Sequence, residues 1–505
     1  MLFLPVLLAA SLTANAAKVQ QHYDKVESKR LLPLLSEVVH FPTYEHNDQA
    51  LVDQKAWLMK TAADLGFVAR DAGKVTEIEL PAASKNAPVL GLVVHGDVQP
   101  VDADAWGFPP FSGATDSEYV YGRGSADDKG PLVQALLAMK ALQQSGVKRT
   151  HTIRLLVGST EESDAVEMKE YLADHKAPDY SLVLDSAFPV VVGEKAWDGL
   201  FLSTSLDPRP GVEKQWKVAG LTAGLSPSIV PDHARLTLDW KESSGPVNWD
   251  PLIAELKAQP LPEGTRLVTG AGEGSTLIVV AYGKSSHAGV NPEGGRNALV
   301  ALARVMEGRL PSGGADDLLA FARIAGQDMH GTGLGITDSD PVWGRYTVNV
   351  ATISGNAKNE QLSTLKINLR RIPPRTGPQI KEYLTKFVSD FNQRTGASLR
   401  VDDDSYFEDE PLGFDPKSKI VKRLLDDYTK ATGRRDPPAI SGGGTYAKRL
   451  PNAIAFGMWF PDKPYPGHDV NEKNPIADLQ LGMKALIYTL TDIASGPKMV
   501  EAFKP

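Results

Sequence analysis

Acids and imidazoles that could share a metal ion recur along this chain in a consistent setting. They stand at His95-Gly96-Asp97, Asp127-Asp128-Lys129-Gly130, Glu161-Glu162, Asp185 and Gly467-His468. His95 and Asp97 are two apart at the end of an apolar run. On a strand that spacing puts both side chains on one face, where an acid can orient an imidazole and hold its tautomer. Asp127 and Asp128 open a helical stretch, and the helix dipole stabilises a carboxylate there. Simple N-capping by either residue is compatible with the same reading. Adjacent carboxylates such as Glu161 and Glu162 repel unless one is protonated or a cation is near. At the mouth of a buried strand the pair suggests one ligand and one general base. The chemistry these types and spacings point to is hydrolysis at a two-metal site.

Such groups need elements to position them. Residues 89–94 (VLGLVV) read as a strand buried on both faces. Further strand-like runs fall at 153–157, 182–184 and 453–460. Helical periods cover 47–66, 130–146, 379–394, 418–432 and 477–493, with Pro131 in a first turn, where proline is tolerated. Alternation of strands and helices predicts an α/β layer. His95, Glu161-Glu162, Asp185 and His468 each lie beyond the carboxyl end of a strand-like run, where open α/β sheets place their sites.

From about 191 to 374 the texture changes to alternating strands with more Gly and Pro, and helices near 297–307 and 316–324. Residues 220–240 and 349–370 share a layout of strand, polar link and strand ending in a polar residue. Two similar hairpin units is one reading and chance likeness the other. The expected organisation is a split α/β domain, 17–190 with 375–505, interrupted by an α+β insert at 191–374.

With 505 residues, two to three domains are expected. A net charge of −8 and the lack of any Lys/Arg block argue against nucleic-acid and anionic-membrane partners. The absence of cysteine excludes thiol catalysis, disulfides and Cys-based zinc sites. His, Asp and Glu are left as the strong ligands. At the N-terminus an apolar run over 2–12 precedes Ala14-Asn15-Ala16. It reads as a signal peptide over 1–16, cleaved after Ala16, although its start carries no Lys or Arg; a short apolar helix is the other reading. The run is too short to span a membrane. The mature protein is therefore expected outside the cytoplasm, periplasmic or extracellular, with no membrane contact after signal removal.

As a set, VVHGDVQP (93–100), YGRGSADDKGP (121–131), STEES (159–163), LDSAFPVVVGEK (184–195), GKSSHAGVNPEGGRNA (283–298), INLRRIP (367–373), GGGTYA (442–447) and GHDVNE (467–472) resemble the M20 family of co-catalytic zinc peptidases. The likeness is greatest to its dipeptidase branch, which includes PepV and the carnosinases. The resemblance implies a catalytic domain with a mixed sheet flanked by helices, interrupted by a lid domain. It implies two Zn²⁺, or Mn²⁺ or Co²⁺, held by His95, Asp127, Glu162, Asp185 and His468. Asp127 would bridge the ions, His95 pairing with Asp185 and Glu162 with His468. Glu161 would be the general base on a metal-bridging water, Asp97 the acid that orients a ligand, and His287 a stabiliser of the oxyanion. Arg370 and the N–H groups of Gly442, Gly443 and Gly444 would receive the substrate's terminal carboxylate. Ser228 departs from the Asn of some relatives. In relatives the peptide between Asp127 and Asp128 is cis. His40, His151 and His330 lack matching context and read as structural or surface residues.

The expected activity is hydrolysis of dipeptides with a free C-terminal carboxylate. An N-acyl-amino-acid hydrolase or a carboxypeptidase would use the same centre. A solute-binding protein that closes on a peptide without cutting it is the reading from another class, and a low metal content would distinguish it. The doubled insert resembles that of monomeric dipeptidases, so a monomer is expected, with a dimer as the alternative. The insert would close on hinges near 189–193 and 373–377.

Overall fold

The structure is a computed structural model and describes residues 3–163, 165–205, 210–356 and 363–499. The chain divides into two compact units, Met1–Glu194 with Leu412–Pro505, and Lys195–Pro411.

The first unit is built on a six-stranded sheet. Its order is Val68–Ala72, Val75–Leu80, Thr152–Gly158, Val89–His95, Tyr180–Val183 and Ala453–Ala455. The first two pairs in this order are antiparallel, and the remaining three are parallel. Parallel strands are covered on both faces, and Val89–His95 shows why its sequence is apolar without alternation. Leu90, Leu92 and Val94 enter one core and Val93 another. The first core holds the helices Ser28–Val39, Lys129–Gln144 and Ile476–Ser495, and the second receives Met168 and Tyr171 from Glu167–Asp174. Each fully buried Val or Leu in such a layer contributes about 1.5–3 kcal/mol.

The run expected as one strand over 453–460 is two, Ala453–Ala455 and Met458–Trp459. Gly457 separates them with φ 66°, a left-handed conformation that glycine tolerates, and a Cβ there would meet the Phe188 ring. The second piece pairs with Ser186–Ala187 instead of continuing the main sheet.

At the N-terminus a helix runs over Phe3–His22, through the expected cleavage point, and packs on Ile476–Ser495. Its Ala16 and Val19 are buried. Among the described residues no helix is long and apolar enough to cross a membrane.

The second unit is built on an eight-stranded antiparallel sheet. Its order is Arg266–Ala271, Thr276–Tyr282, His233–Trp240, Trp216–Ala223, Thr347–Asn356, Ser363–Arg371, Ala196–Thr204 and Arg400–Val401. Burial alternates along His233–Trp240, so one face lies on the core and the other does not. The two segments that echo one another are adjacent hairpins in this sheet, and each has a register shift, at Val218/Gly220 and at Val350/Thr352. The second boundary falls at Pro411 rather than near 374. The helix Gly377–Thr395, assigned from sequence to the returning α/β domain, buries Ile380, Leu384, Val388 and Phe391 in the core of the second unit. An amphipathic period shows that a helix has an apolar face; it does not show which sheet that face covers.

A buried ion pair fixes the base of this unit. Arg371 donates from Nε to Asp198 Oδ2 at 2.8 Å, and both side chains are fully buried. Burial pushes the Asp198 carboxyl up to about 6 even though Arg371 opposes the shift.

Candidate metal centre

The sheet of the first unit delivers its candidate ligands at one end. His95 is the last residue of Val89–His95. Glu161 and Glu162 follow Thr152–Gly158, and Asp185 follows Tyr180–Val183. Asp127 precedes the buried helix Lys129–Gln144, and the Asp127–Asp128 peptide is cis. His468 lies in the loop after Met458–Trp459 with φ 64°. A non-glycine residue in that conformation is held there by its surroundings, and such positions concentrate at functional sites.

These side chains converge. Asp127 Oδ1 is 3.1 Å from His95 Nε2, while Asp127 Oδ2 is 3.2 Å from His468 Nε2. His468 Nε2 is also 3.0 Å from Glu162 Oε1, and Asp185 Oδ2 is 3.9 Å from His95 Nε2. Ligand atoms of His95, Glu161 and Asp185 lie within 4.8 Å of one another, as do those of His95, Asp127 and Glu162. The separations suit coordination, because two donors each about 2.0–2.2 Å from a shared zinc sit roughly 3–4 Å apart. The donors are imidazole nitrogens and carboxylate oxygens, a set that accepts Zn²⁺ or Mn²⁺. His95, Asp127 and His468 are buried, whereas Glu161, Glu162 and Asp185 are half-buried.

The electrostatics follow from packing acids together. Burial pushes Glu161 and Asp185 well above the carboxylate range; neighbouring acids add to it and His95 opposes it. Burial would lower the pKa of His468, but Glu162 and Asp127 outweigh it and raise the group to about 10. His95 is raised in the same way by Asp127, Asp97 and Asp185. Burial would raise Asp127, yet the two imidazoles hold it well below its ordinary value. A cluster like this must take up positive charge as protons or as cations.

Asp97 reaches His95 differently from the sequence expectation. The atom at hydrogen-bond distance from His95 Nδ1 is the Asp97 backbone carbonyl, at 3.0 Å; carboxylate Oδ1 stands off at 3.5 Å. Oδ2 accepts the N–H of Glu162 at 2.9 Å, so Asp97 also anchors the acid loop. Lys129 is fully buried, donates to the Phe41 carbonyl at 2.6 Å, and is pushed down to about 7 by burial.

Several contributors were not singled out from the sequence. Glu472 accepts from the backbone N–H groups of Ala126 and Asp127 at 2.9 and 3.3 Å and from Arg123 at 2.7 Å, clamping the Asp127 turn. Gln99 donates to Glu162 Oε2 at 2.8 Å. Asp128, read from the sequence as a possible helix cap, makes no capping bond with its side chain; its Oδ2 accepts from the N–H of His95 at 3.1 Å. The Tyr465 hydroxyl bonds Asp127. Tyr465 and Glu472 flank His468 within one short stretch and Gln99 closes HGDVQ, so proximity to the ligand motifs was the available signal.

Gly442–Gly444 lie in the same unit. Gly443 N–H donates to Ser441 Oγ at 3.0 Å, and Thr445 is bound by Glu194 at 2.8 and 3.1 Å.

His287 and Arg370 belong to the second unit. His287 Nδ1 accepts two backbone N–H groups, from Gly289 at 2.9 Å and Val290 at 3.0 Å. That makes Nδ1 an acceptor and puts the proton of the neutral ring on Nε2. Arg370, buried, donates from Nε to Asn368 at 2.9 Å and from Nη2 to Ser228 Oγ at 3.2 Å. The Ser228 carbonyl accepts from Ala288, so the Arg370 and His287 neighbourhoods share one loop. Among the remaining histidines, His151 bonds Tyr180 in the interior, while His40 and His330 bond backbone carbonyls at 2.6 and 3.0 Å.

This fold and this cluster of acids and imidazoles define a hydrolytic metal-site architecture. The chain belongs to peptidase family M20/M25/M40, whose model matches residues 91–492, and is thus a hydrolase acting on peptide bonds. It is 28% identical over 393 residues to a protein of Staphylococcus epidermidis named "Putative dipeptidase", covering 77% of this chain and 80% of that one. A Staphylococcus aureus protein of like description is 27% identical over 461 residues, covering 90% and 94%. In fold it is similar to human carnosine dipeptidase 1, with a TM-score of 0.60 and 13% identity over 95% of this chain and 98% of that one. The di-peptidase Dug1p of Saccharomyces cerevisiae gives a TM-score of 0.59 at 14% identity over 96% and 99%.

Proposed function

We propose that this peptidase is an exported dipeptidase that uses two zinc ions and recognises a free C-terminal carboxylate. The observation that carries this reading is the placement of the two Asp127 oxygens against two different imidazoles, each flanked by a further acid. His95, Asp127 and Asp185 would hold one ion, and His468, Asp127 and Glu162 the other. When bound, the ions supply Lewis acidity toward a water and the scissile carbonyl.

The chain's own groups do the rest. Glu161 accepts a proton from the attacking water and returns it to the leaving amine. The half-buried position of Glu161 suits a group that must gain and lose a proton. His287 donates from Nε2 to the developing oxyanion, in keeping with the tautomer its loop enforces. Arg370 receives the α-carboxylate with its planar guanidinium, and the N–H groups of Gly442–Gly444 add to the same recognition.

Export rests on the apolar run at 2–12 and the small residues at 14–16. Mass spectrometry of protein recovered outside the cytoplasm should show Ala17 as the first residue. The chain should run as a monomer in size-exclusion chromatography. The activity is tested by assaying free dipeptides, N-acetyl amino acids and longer peptides side by side on metal-loaded enzyme. Preference for free dipeptides is expected. Preference for N-acetyl amino acids or stepwise trimming of longer peptides would replace the dipeptidase reading with an acylase or carboxypeptidase.

A further inference from the structure

The loop that carries Glu161 and Glu162 is anchored at several points, Ser159 Oγ to the Lys74 carbonyl and Gln99 to Glu162 among them, and one anchor is a buried acid outside the ligand cluster. On one side Glu162 N–H is held by Asp97 Oδ2. On the other, Thr160 is held by Glu167, the first residue of the helix Glu167–Asp174. Glu167 Oε1 accepts the Thr160 N–H at 3.0 Å, and Oε2 accepts the Thr160 hydroxyl at 2.6 Å. Oε1 also accepts the hydroxyl of Tyr446. Glu161 thus sits between two residues whose backbone N–H groups are each bonded to a buried acid.

Both Glu167 and Tyr446 are buried, at 1% and 0% exposure, so a lost bond there could not be replaced by bulk water. Tyr446 follows directly on Gly442–Gly444 and Thr445, and Thr445 is gripped from the other side by the carboxylate of Glu194. The turn Tyr446–Lys448 is therefore held by two buried acids, one of which also holds the acid loop. Gly158 makes room for this junction. A Cβ at that position would overlap the Tyr446 hydroxyl and come within 2.8 Å of Glu167 Oε1.

Resting on the assignment of Glu161 as proton acceptor, we infer that Glu167 is a positioning residue for this reaction. Its carboxylate fixes the Glu161–Glu162 loop against the turn that follows the glycine run. A displacement of about 1 Å at a reacting group can cost about 100-fold in rate.

The test compares Glu167→Gln, Tyr446→Phe and Thr160→Ser in the full-length, zinc-loaded enzyme. Glu167→Gln keeps one accepting oxygen and puts an N–H₂ where the other stood, so the Thr160 N–H, the Thr160 hydroxyl and the Tyr446 hydroxyl can no longer all be accepted. It should lower kcat on a dipeptide by about 10- to 100-fold, with KM changed less than about threefold and metal content unchanged. Tyr446→Phe removes one donor and should move kcat the same way by less. Thr160→Ser keeps both bonds and should retain kcat. Amide exchange over residues 159–163 should quicken at least about tenfold in Glu167→Gln while the rest of the chain stays protected. Unchanged exchange in that segment overturns the inference. So does faster exchange with wild-type kcat. If Glu167→Gln does not fold, Tyr446→Phe decides by the same readouts. A wild-type enzyme that cleaves no dipeptide defeats the functional reading alone, since the exchange comparison still decides whether Glu167 holds the loop.

Discussion

Asp127 Oδ2 stands 3.2 Å from His468 Nε2, although the two residues come from the two separate chain segments of the first unit. The other Asp127 oxygen faces His95, so one carboxylate serves two imidazoles. Asp127→Asn keeps the shape but removes an anionic oxygen from both contacts. Metal content should fall by at least one ion per chain, and kcat/KM by about 1,000-fold or more, because metal ligands must be anionic or neutral bases and an amide is a poor substitute. Elemental analysis and dipeptide kinetics check both.

Glu161→Gln separates proton transfer from metal binding. Removing a general base costs about 10²- to 10⁴-fold. The loss should appear in kcat, with the metal content of the wild type retained. A variant that turns over at the wild-type rate with its ions in place would remove Glu161 from the mechanism.

Arg370 presents a planar fork already ordered by Asn368 and Ser228. Lysine keeps the charge and loses the bidentate geometry. Arg370→Lys should raise KM for free dipeptides by about 10-fold or more, as expected for loss of one charge-assisted bond of about 1.5–3 kcal/mol. Dipeptide amides, which lack the carboxylate, should be nearly indifferent to the change.

A buried acid outside the candidate ligand set gives stability a pH dependence. Asp427 is pushed up to about 8, first by burial and then by the neighbouring Asp492 carboxylate. Its folded pKa exceeds the unfolded value near 3.9, so the folded state holds the proton more tightly. The stability this supplies is complete below about pH 4 and is lost as pH rises toward 8. The slope approaches about 1.4 kcal/mol per pH unit while the folded group stays protonated and the unfolded one is ionised. Asp427→Asn should flatten that slope. Denaturant unfolding at pH 5 and pH 8 should show the variant gaining on the wild type at the higher pH.

Much of the first unit's sheet, and the meeting of acids and imidazoles at its end, is legible in the sequence because strand ends announce themselves. The run at 89–94 is apolar on both faces, and the polar residue that ends it, His95, has to be where the sheet stops. What resists such reading is pairing across long separations. The bond from Arg123 to Glu472, which clamps the Asp127 turn, leaves no periodic trace. The same holds for Glu167, whose partners Thr160 and Tyr446 come from different segments. The helix Gly377–Thr395 was visible, but its allegiance to the second unit depends on which core its apolar face meets. That Asp97 bonds His95 through its carbonyl is a matter of backbone path, which residue types do not encode.

Whether Asp127 joins two metal ions is tested most directly by anomalous diffraction from crystals of the zinc-loaded protein, with the metal counted in the same sample. Two peaks per chain are predicted, one shared by Asp127 with His95 and one shared by Asp127 with His468. A fully folded protein that takes up no zinc, or whose ions sit away from Asp127, would contradict the account.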